Sequence, residues 1–266
     1  MHPILFEIPR IEILSMVIGP IPIRFYGLMI GLGFIIGVTL AARQARKEGV
    51  DPNRVLDLGV YMLLMAIVGS RLLFVLTNLR EFADKPLEAF AIWKGGLVFY
   101  GGLLAAVPVG IWYLKRHGLP VWKTADIVAP SIAIGQVFGR LGCFFAGCCY
   151  GAPCSGPVCV TFSDPHTLAP PGVPLFPTQL MESGGMFLIF CMLLLLRRRK
   201  TFDGQLFWLY ALSYAVLRFI IEFFRGDAVR GLYFGDAIST SQIIAIGMFT
   251  LSGVMLWRLR NAAIAK

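Results

Sequence analysis

Seven apolar runs, each close to 20 residues long, divide this chain at about 25–42, 56–77, 97–114, 125–146, 178–196, 204–224 and 238–257. Wound as a helix at about 1.5 Å per residue, such a run crosses the roughly 30 Å hydrocarbon core of a bilayer. Within that core no water satisfies backbone N–H and C=O groups, so a run of this kind folds as an α-helix. The overall balance agrees. The chain is 57% hydrophobic and 15% charged, where a soluble protein carries about 25% charged residues. These features predict an all-α, polytopic membrane protein with seven transmembrane helices.

Basic residues set the orientation. Fourteen of the 24 Lys and Arg follow runs one, three, five and seven, including Arg43, Arg46, Lys47, Lys115, Arg116, the block Arg197–Lys200, Arg258 and Arg260. Seven lie on the other side: Arg10, Arg24, Arg80, Lys85, Lys94, Arg225 and Arg230. None occurs between Arg140 and Arg197, which includes the longest loop. The amino terminus is therefore expected outside and the carboxyl terminus in the cytoplasm. The net charge of +9 follows from the inside excess, suits an anionic inner leaflet, and gives no reason to invoke nucleic acid.

With no linker rich in Pro, Gly or Ser, residues 1–266 read as a single domain. Residues 1–20 lack a basic region, apolar core and small-residue cleavage site in series, so they read as an external arm rather than a cleavable signal. The segment Asp84–Gly96 suits the interface, with Trp93 as its aromatic anchor.

Charges within the runs are the strongest pointers to chemistry. Arg71 lies in run two, and Arg218 and Glu222 in run six, where they read as a structural polar network. Arg140, near the end of run four, opens Gly139-Arg140-Leu141-Gly142-Cys143-Phe144-Phe145-Ala146-Gly147-Cys148-Cys149-Tyr150-Gly151. An arginine at membrane depth costs roughly 2.5–3.5 kcal/mol. A chain tolerates that when the charge meets an anion, and the abundant anion of a bilayer is a lipid phosphate. Cys143, Cys148, Cys149, Cys154 and Cys159 fall at intervals of five, one, five and five in an expected external loop, 147–177. One reading is one or two disulfides pinning that loop, as an oxidising compartment allows. Others are a redox relay or thiol nucleophile, or a metal site, although the paired Cys-x2-Cys spacing usual for zinc is missing. Cys191, inside run five, reads as core.

Taken in order, six blocks resemble those of the bacterial prolipoprotein diacylglyceryl transferases. They are Arg24-Phe25-Tyr26-Gly27-Leu28-Met29, Gly69-Ser70-Arg71-Leu72, the stretch from Gly95 to Leu103, Gly139-Arg140-Leu141-Gly142 with Gly151, Pro177-Thr178-Gln179-Leu180-Met181-Glu182, and Glu222-Phe223-Phe224-Arg225. The resemblance covers most of the chain from Arg24 onward. It implies transfer of the diacylglyceryl group of phosphatidylglycerol to the lipobox cysteine of an exported prolipoprotein. This is the first step of lipoprotein maturation in the bacterial inner membrane, and it uses no cofactor or metal. The leaving group is a phosphate, so cations must hold its charge. The acceptor thiol, with pKa about 8.5, needs a base or a positive field.

By resemblance, Arg140 is the signature arginine that binds the lipid phosphate, and its planar fork suits that task. Arg225 matches a second essential arginine. Tyr26 is a substrate hydrogen-bond donor or part of the aromatic belt. Gly101, Gly102, Gly142 and Gly151 permit close helix or lipid approach. Glu182 is an arginine partner or merely interfacial. Tyr100 stands where the family has its proposed histidine base. Cys143 and Cys148 replace the signature's asparagine and glutamate, Phe176-Pro177 replaces a His-Pro pair, and Met181 replaces a tyrosine. The phosphate-binding arginines thus remain while the acid–base groups differ. That leaves two alternatives open: a divergent paralogue with another acceptor, and a thiol-redox or lipid-binding membrane protein.

Overall fold

A computed structural model describes residues 3–9, 11–13, 16–18, 21–83, 85–92, 95–226, 231–233 and 238–264. Trp93 and Asp84, expected at the interface, lie outside them, as do Arg10, Lys94 and Arg230. The long helices are α1 (Phe25–Lys47), α2 (Pro52–Thr77), α4 (Phe99–Arg116), α5 (Val121–Ala146), α6 (Thr178–Leu196), α7 (Gln205–Glu222) and α8 (Thr240–Ile264); α3 (Leu79–Phe82) is a single turn. Six of them, all but α4, are long and apolar enough to cross a membrane. Helix α4 also coincides with an expected span, but its 18 residues include Pro108, Trp112, Lys115 and Arg116, which dilute its apolar character.

Several helices outrun their apolar runs. Helix α1 continues through Arg43, Arg46 and Lys47 because cations favour a helix carboxyl end and their alkyl stems reach back along apolar surface. Helix α2 starts earlier than the apolar run, at Pro52, where the Asp51 carboxylate accepts a hydrogen bond from Asn53 N at 2.9 Å. Outward-facing apolar side chains are abundant: Ile35, Val68, Leu72, Leu104, Leu188 and Leu195 are all more than half exposed. Surfaces this apolar belong against lipid.

The all-α expectation holds for every membrane-length element. Between them lie four short antiparallel ribbons: β1 (Ile4–Ile8) with β4 (Ile21–Arg24), β2 (Ile11–Ile13) with β3 (Met16–Ile18), β5 (Val160–Thr161) with β6 (Pro174–Leu175), and β7 (Leu232–Tyr233) with β8 (Ile238–Ser239). The segment expected as an external arm thus contains two ribbons, whose inter-strand bonds satisfy backbone groups.

The chain divides into two compact units, residues 38–124 and residues 1–37 with 125–266. In the first, α2 and α4 pack at glycine. A Cβ on Gly101 would strike Gly69 O and Leu73 Cβ, and one on Gly102 would meet Ser70 Oγ at 2.5 Å. Between lipid-exposed helices there is no hydrophobic drive to associate, so close backbone approach supplies the contact. Arg71 is buried there. It donates to the carbonyls of Glu88 (2.6 Å), Ala89 (2.8 Å), Gly95 (2.6 Å) and Gly96 (3.2 Å), and its guanidinium lies 5.4 Å from the ring centroids of Phe74 and Phe82.

In the second unit, α5 is the most buried span, 44% against 17% for α1 and α8. Gly33 and Gly37 of α1 lie against Gly135 and Ser131 of α5. Ser183 of α6 donates to Val137 O at 3.1 Å, and Tyr210 of α7 to Gln136 Oε1 at 2.9 Å. At the basic end of the helices, buried Asp126 accepts from the backbone of Gly204 and Phe207 and pairs with Lys200 at 3.3 Å. One carboxylate thereby caps α7 and anchors the preceding turn.

Candidate active site

The carboxyl end of α5 gathers most of the predicted site residues of its unit. Arg140 Nη2 lies 2.9 Å from Glu182 Oε1 on α6, with Glu182 buried and Arg140 partly exposed. Of the two roles open to Glu182, the geometry displays the arginine partner. Tyr214 of α7 lies beside this pair. Two residues on, Gly142 faces α1: a Cβ there would sit 3.3 Å from Tyr26 Cδ2 and from Tyr26 O. Phe25 stacks on Phe145 at 4.7 Å. Tyr26, itself 41% exposed, thus borders the Arg140 segment because glycine lets α1 close on α5.

Arg225 reaches the same region through the backbone. The strand-like segment Gly151–Ala152 is held between two others. Gly151 N donates to Phe176 O at 2.9 Å, Ala152 N to Phe224 O at 2.9 Å, and Phe176 N to Ala152 O at 3.0 Å; Gly151 and Arg225 form a β-bridge. A side chain on Gly151 would come within 2.5 Å of Phe176 Cβ and 2.7 Å of Phe224 O. This close approach is the use the structure makes of Gly151, and it brings the end of α7 against the signature loop.

The cysteines divide into two sets. Cys154 and Cys159 form a disulfide, one of the one or two expected. Cys143, Cys148 and Cys149 are free, partly buried thiols whose sulfurs all lie within 4.8 Å of one another. The turn that folds Cys148–Cys149 back onto Cys143 needs Gly147 at φ 71° and holds Cys149 at φ 58°, the sole non-glycine with positive φ among the described residues. A cysteine in that region is strained and persists only where neighbours hold it. They do so here. Thr178 Oγ1 donates to Cys149 O and Gln179 Nε2 to Cys148 O, both at 2.8 Å, from buried positions at the start of α6. Hydrogen bonds from Cys143 and Cys148 push the Cys149 thiol down, helped by Arg140 and Arg225 and opposed by burial. Its hydrogen bonds with Cys143 and Cys149, together with burial, push Cys148 up. Arg140 and Arg225 are the cations that act on Cys149.

Thr178 and Gln179 belong to a quoted block, yet their role was not read from sequence. The available signal was a pair of polar residues at the start of an apolar run directly after Phe176-Pro177. The rest of the loop folds on its own small core of Phe144, Phe162, Ala169 and Leu175, and His166 is bound to Asp164 at 3.1 Å. In the other unit Tyr100 opens α4, 46% exposed, with its ring edge-on to Phe99 at 5.8 Å; Gly101 and Gly102 serve the α2–α4 contact. The expected polar network separates into two local arrangements. Arg71 binds backbone carbonyls, whereas Arg218 pairs with Glu222 at 2.8 Å and donates to Ser241 Oγ at 2.9 Å.

Six helices long and apolar enough to cross a membrane define a class, that of polytopic helical membrane proteins. Within it, this chain belongs to the prolipoprotein diacylglyceryl transferase family, whose model matches residues 13–258, and it is a transferase. It is 35% identical over 249 residues to a phosphatidylglycerol–prolipoprotein diacylglyceryl transferase of Halalkalibacterium halodurans, covering 92% of this chain and 85% of that protein. Proteins of the same name from Clostridium tetani (35% over 246 residues, 92% and 93% of the two chains) and Finegoldia magna (38% over 237 residues, 89% and 90%) are similarly related.

Proposed function

We propose that the chain, as one transferase domain over 1–266 in the bacterial cytoplasmic membrane, moves the diacylglyceryl group of phosphatidylglycerol onto the lipobox cysteine of prolipoproteins. The names of the relatives support the substrates. The observation that carries the reading is the Arg140–Glu182 pair beside the loop to which Arg225 is bridged. In the reaction the acceptor sulfur attacks the glyceryl carbon that bears the phosphate ester. A C–S bond forms, the C–O bond breaks, and glycerol phosphate departs with the electron pair while the acceptor thiol gives up its proton. Arg140 and Arg225 stabilise the phosphate charge that develops, and Glu182 orients the Arg140 fork. Tyr26 borders the lipid headgroup, Gly142 and Gly151 allow the chain to close around it, and the Tyr100 hydroxyl assists the transfer.

Seven spans follow if α4 crosses with the other six, which places the amino terminus outside and the carboxyl terminus inside, consistent with the fourteen-to-seven distribution of basic residues. The site then faces outward, where exported acceptors arrive. Transfer to another acceptor is favoured by one observation, the replacement of the family's acid–base positions by Tyr100, Cys143, Cys148, Phe176 and Met181. Complementation of a strain depleted of its diacylglyceryl transferase decides. Growth with thioether-modified lipoprotein supports the proposed acceptor, and stable membrane insertion without rescue points to the other.

A further inference from the structure

We propose that Cys143, Cys148 and Cys149 form a zinc site with three protein ligands, and that its open fourth position takes the acceptor thiol as a thiolate. The proposal rests on the transfer reaction above for the identity of the acceptor. The metal site itself rests on the chain alone.

Sequence spacing argued against zinc because Cys-x2-Cys pairs are missing, but spacing is only a proxy for convergence. Here one sulfur comes from the last turn of α5 and two come from the turn beyond it. All three lie within 4.8 Å of one another. Tetrahedral coordination at about 2.3 Å places sulfurs roughly 3.7 Å apart, so a small inward shift of side chains closes the set. The scaffold is already built. Gly147 and Cys149 take left-handed backbone, and Thr178 and Gln179 grip the carbonyls of Cys149 and Cys148 from buried positions. A strained non-glycine residue fixed by two side-chain hydrogen bonds is the pattern of a functional clamp.

Ligand chemistry selects the ion. Thiolates favour soft cations, and zinc with three protein ligands and a vacant position is the arrangement of catalytic rather than structural sites. Three thiolates around Zn²⁺ carry one net negative charge, and Arg140 and Arg225 are its cationic neighbours. The setting gives a further reason. In the outward orientation three adjacent thiols face an oxidising compartment, where Cys154 and Cys159 are already paired. Metal coordination would keep them reduced.

The function of such a site follows from electrostatics. A thiol that coordinates zinc is deprotonated outright, so on binding the acceptor's S–H bond would break, its sulfur would bond to zinc and its proton would pass to water, with no side-chain base required. Its sulfur would then sit beside the arginine that holds the phosphate, since Arg140 is one helical turn from Cys143 on α5. Two of the positions that differ in this chain, Cys143 and Cys148, would themselves be ligands.

The test uses the full chain in detergent, reduced, stripped with a chelator and reloaded with Zn²⁺ or Co²⁺. About one zinc per chain is expected, and the cobalt form should show the intense d–d and sulfur-to-metal bands of tetrahedral thiolate coordination. Cys143→Ser, Cys148→Ser and Cys149→Ser should each lose most of the metal, whereas Cys191→Ser and the Cys154→Ser/Cys159→Ser pair should keep it. A lipobox peptide should shift the cobalt spectrum and add a thiolate band, and its Cys→Ser version should not. Absence of stoichiometric zinc, copper in its place, a disulfide among the three cysteines, or metal retained by all three serine variants overturns the site. Zinc without a peptide-dependent spectral change overturns the acceptor role. Zinc binding with failed complementation overturns the transfer reading and leaves the metal site standing.

Discussion

Two of the arginines within the apolar helices of this protein, Arg71 and Arg140, have opposite kinds of partner. Arg71 is 7% exposed and donates to four backbone carbonyls between two aromatic rings. Its charge is dispersed over neutral dipoles that cannot leave, so it ties Glu88, Ala89, Gly95 and Gly96 to α2. Arg140 meets one carboxylate, and its side chain keeps 23% of its surface open. That charge faces a single counter-charge and stays partly exposed, as the proposed phosphate-binding role requires. The partners of an arginine inside a membrane helix thus differ with its neighbours, and the helix that carries it does not decide them.

The comparison breaks most visibly at Arg140. Replacing it with alanine should lower transfer by roughly 10³-fold or more, the scale of losing a preorganised donor to a developing anion, while membrane insertion is kept. Arg140→Lys should also fail, because lysine lacks the planar fork. Thioether formation on a lipobox peptide measures both, and near-normal transfer by Arg140→Ala would remove it from the mechanism.

Tyr100 asks whether the unit containing Arg71 contributes to chemistry at all. Tyr100→Phe keeps the ring against Phe99 and deletes only the hydroxyl. A turnover loss of about 10²-fold is expected if that hydroxyl assists proton transfer or binds substrate. Turnover equal to the parent's would leave the residue a packing role.

Glu182→Gln tests the pairing itself. It keeps shape and an acceptor but removes the charge that orients Arg140. Transfer should drop about tenfold, since a charge-assisted hydrogen bond is worth roughly twice a neutral one. Titration with phosphatidylglycerol should place much of that loss in kcat, because a misaligned guanidinium harms the transition state more than ground-state binding. An unaltered kcat would make Glu182 a packing carboxylate.

Arg71→Met should have the smallest effect on the reaction and a clear one on the fold. Stability should fall by about 2–4 kcal/mol through carbonyls left without their donor, seen as a lower midpoint of thermal unfolding in detergent. Transfer per folded molecule should stay within about twofold, as expected of a residue outside the chemistry. A large catalytic defect in well-folded Arg71→Met would dissolve the contrast drawn above.

Sequence by itself determined the helices and the ionic cast. Hydrophobic length is a local property, and in lipid a run of about 20 apolar residues has little choice but to close its hydrogen bonds as a helix. For that reason each long helix falls within a few residues of its apolar run, and the intramembrane charges could be named in advance. Partnership was not legible, because it depends on which helices cross and where. Glu182 was as readily interfacial as paired until α6 was seen against α5. Arg225 matched a second essential arginine by resemblance, but its backbone bridge to Gly151 is a tertiary fact. Arg71, Arg218 and Glu222 look alike as lone charges, yet Arg71 donates to carbonyls of a neighbouring loop while Arg218 pairs with Glu222 one turn away. The cysteines show the limit most clearly. Their intervals of five, one and five say nothing of distance, because left-handed backbone at Gly147 and Cys149 reverses the chain. Only that reversal, gripped by Thr178 and Gln179, brings three sulfurs together and leaves Cys154 and Cys159 to pair elsewhere.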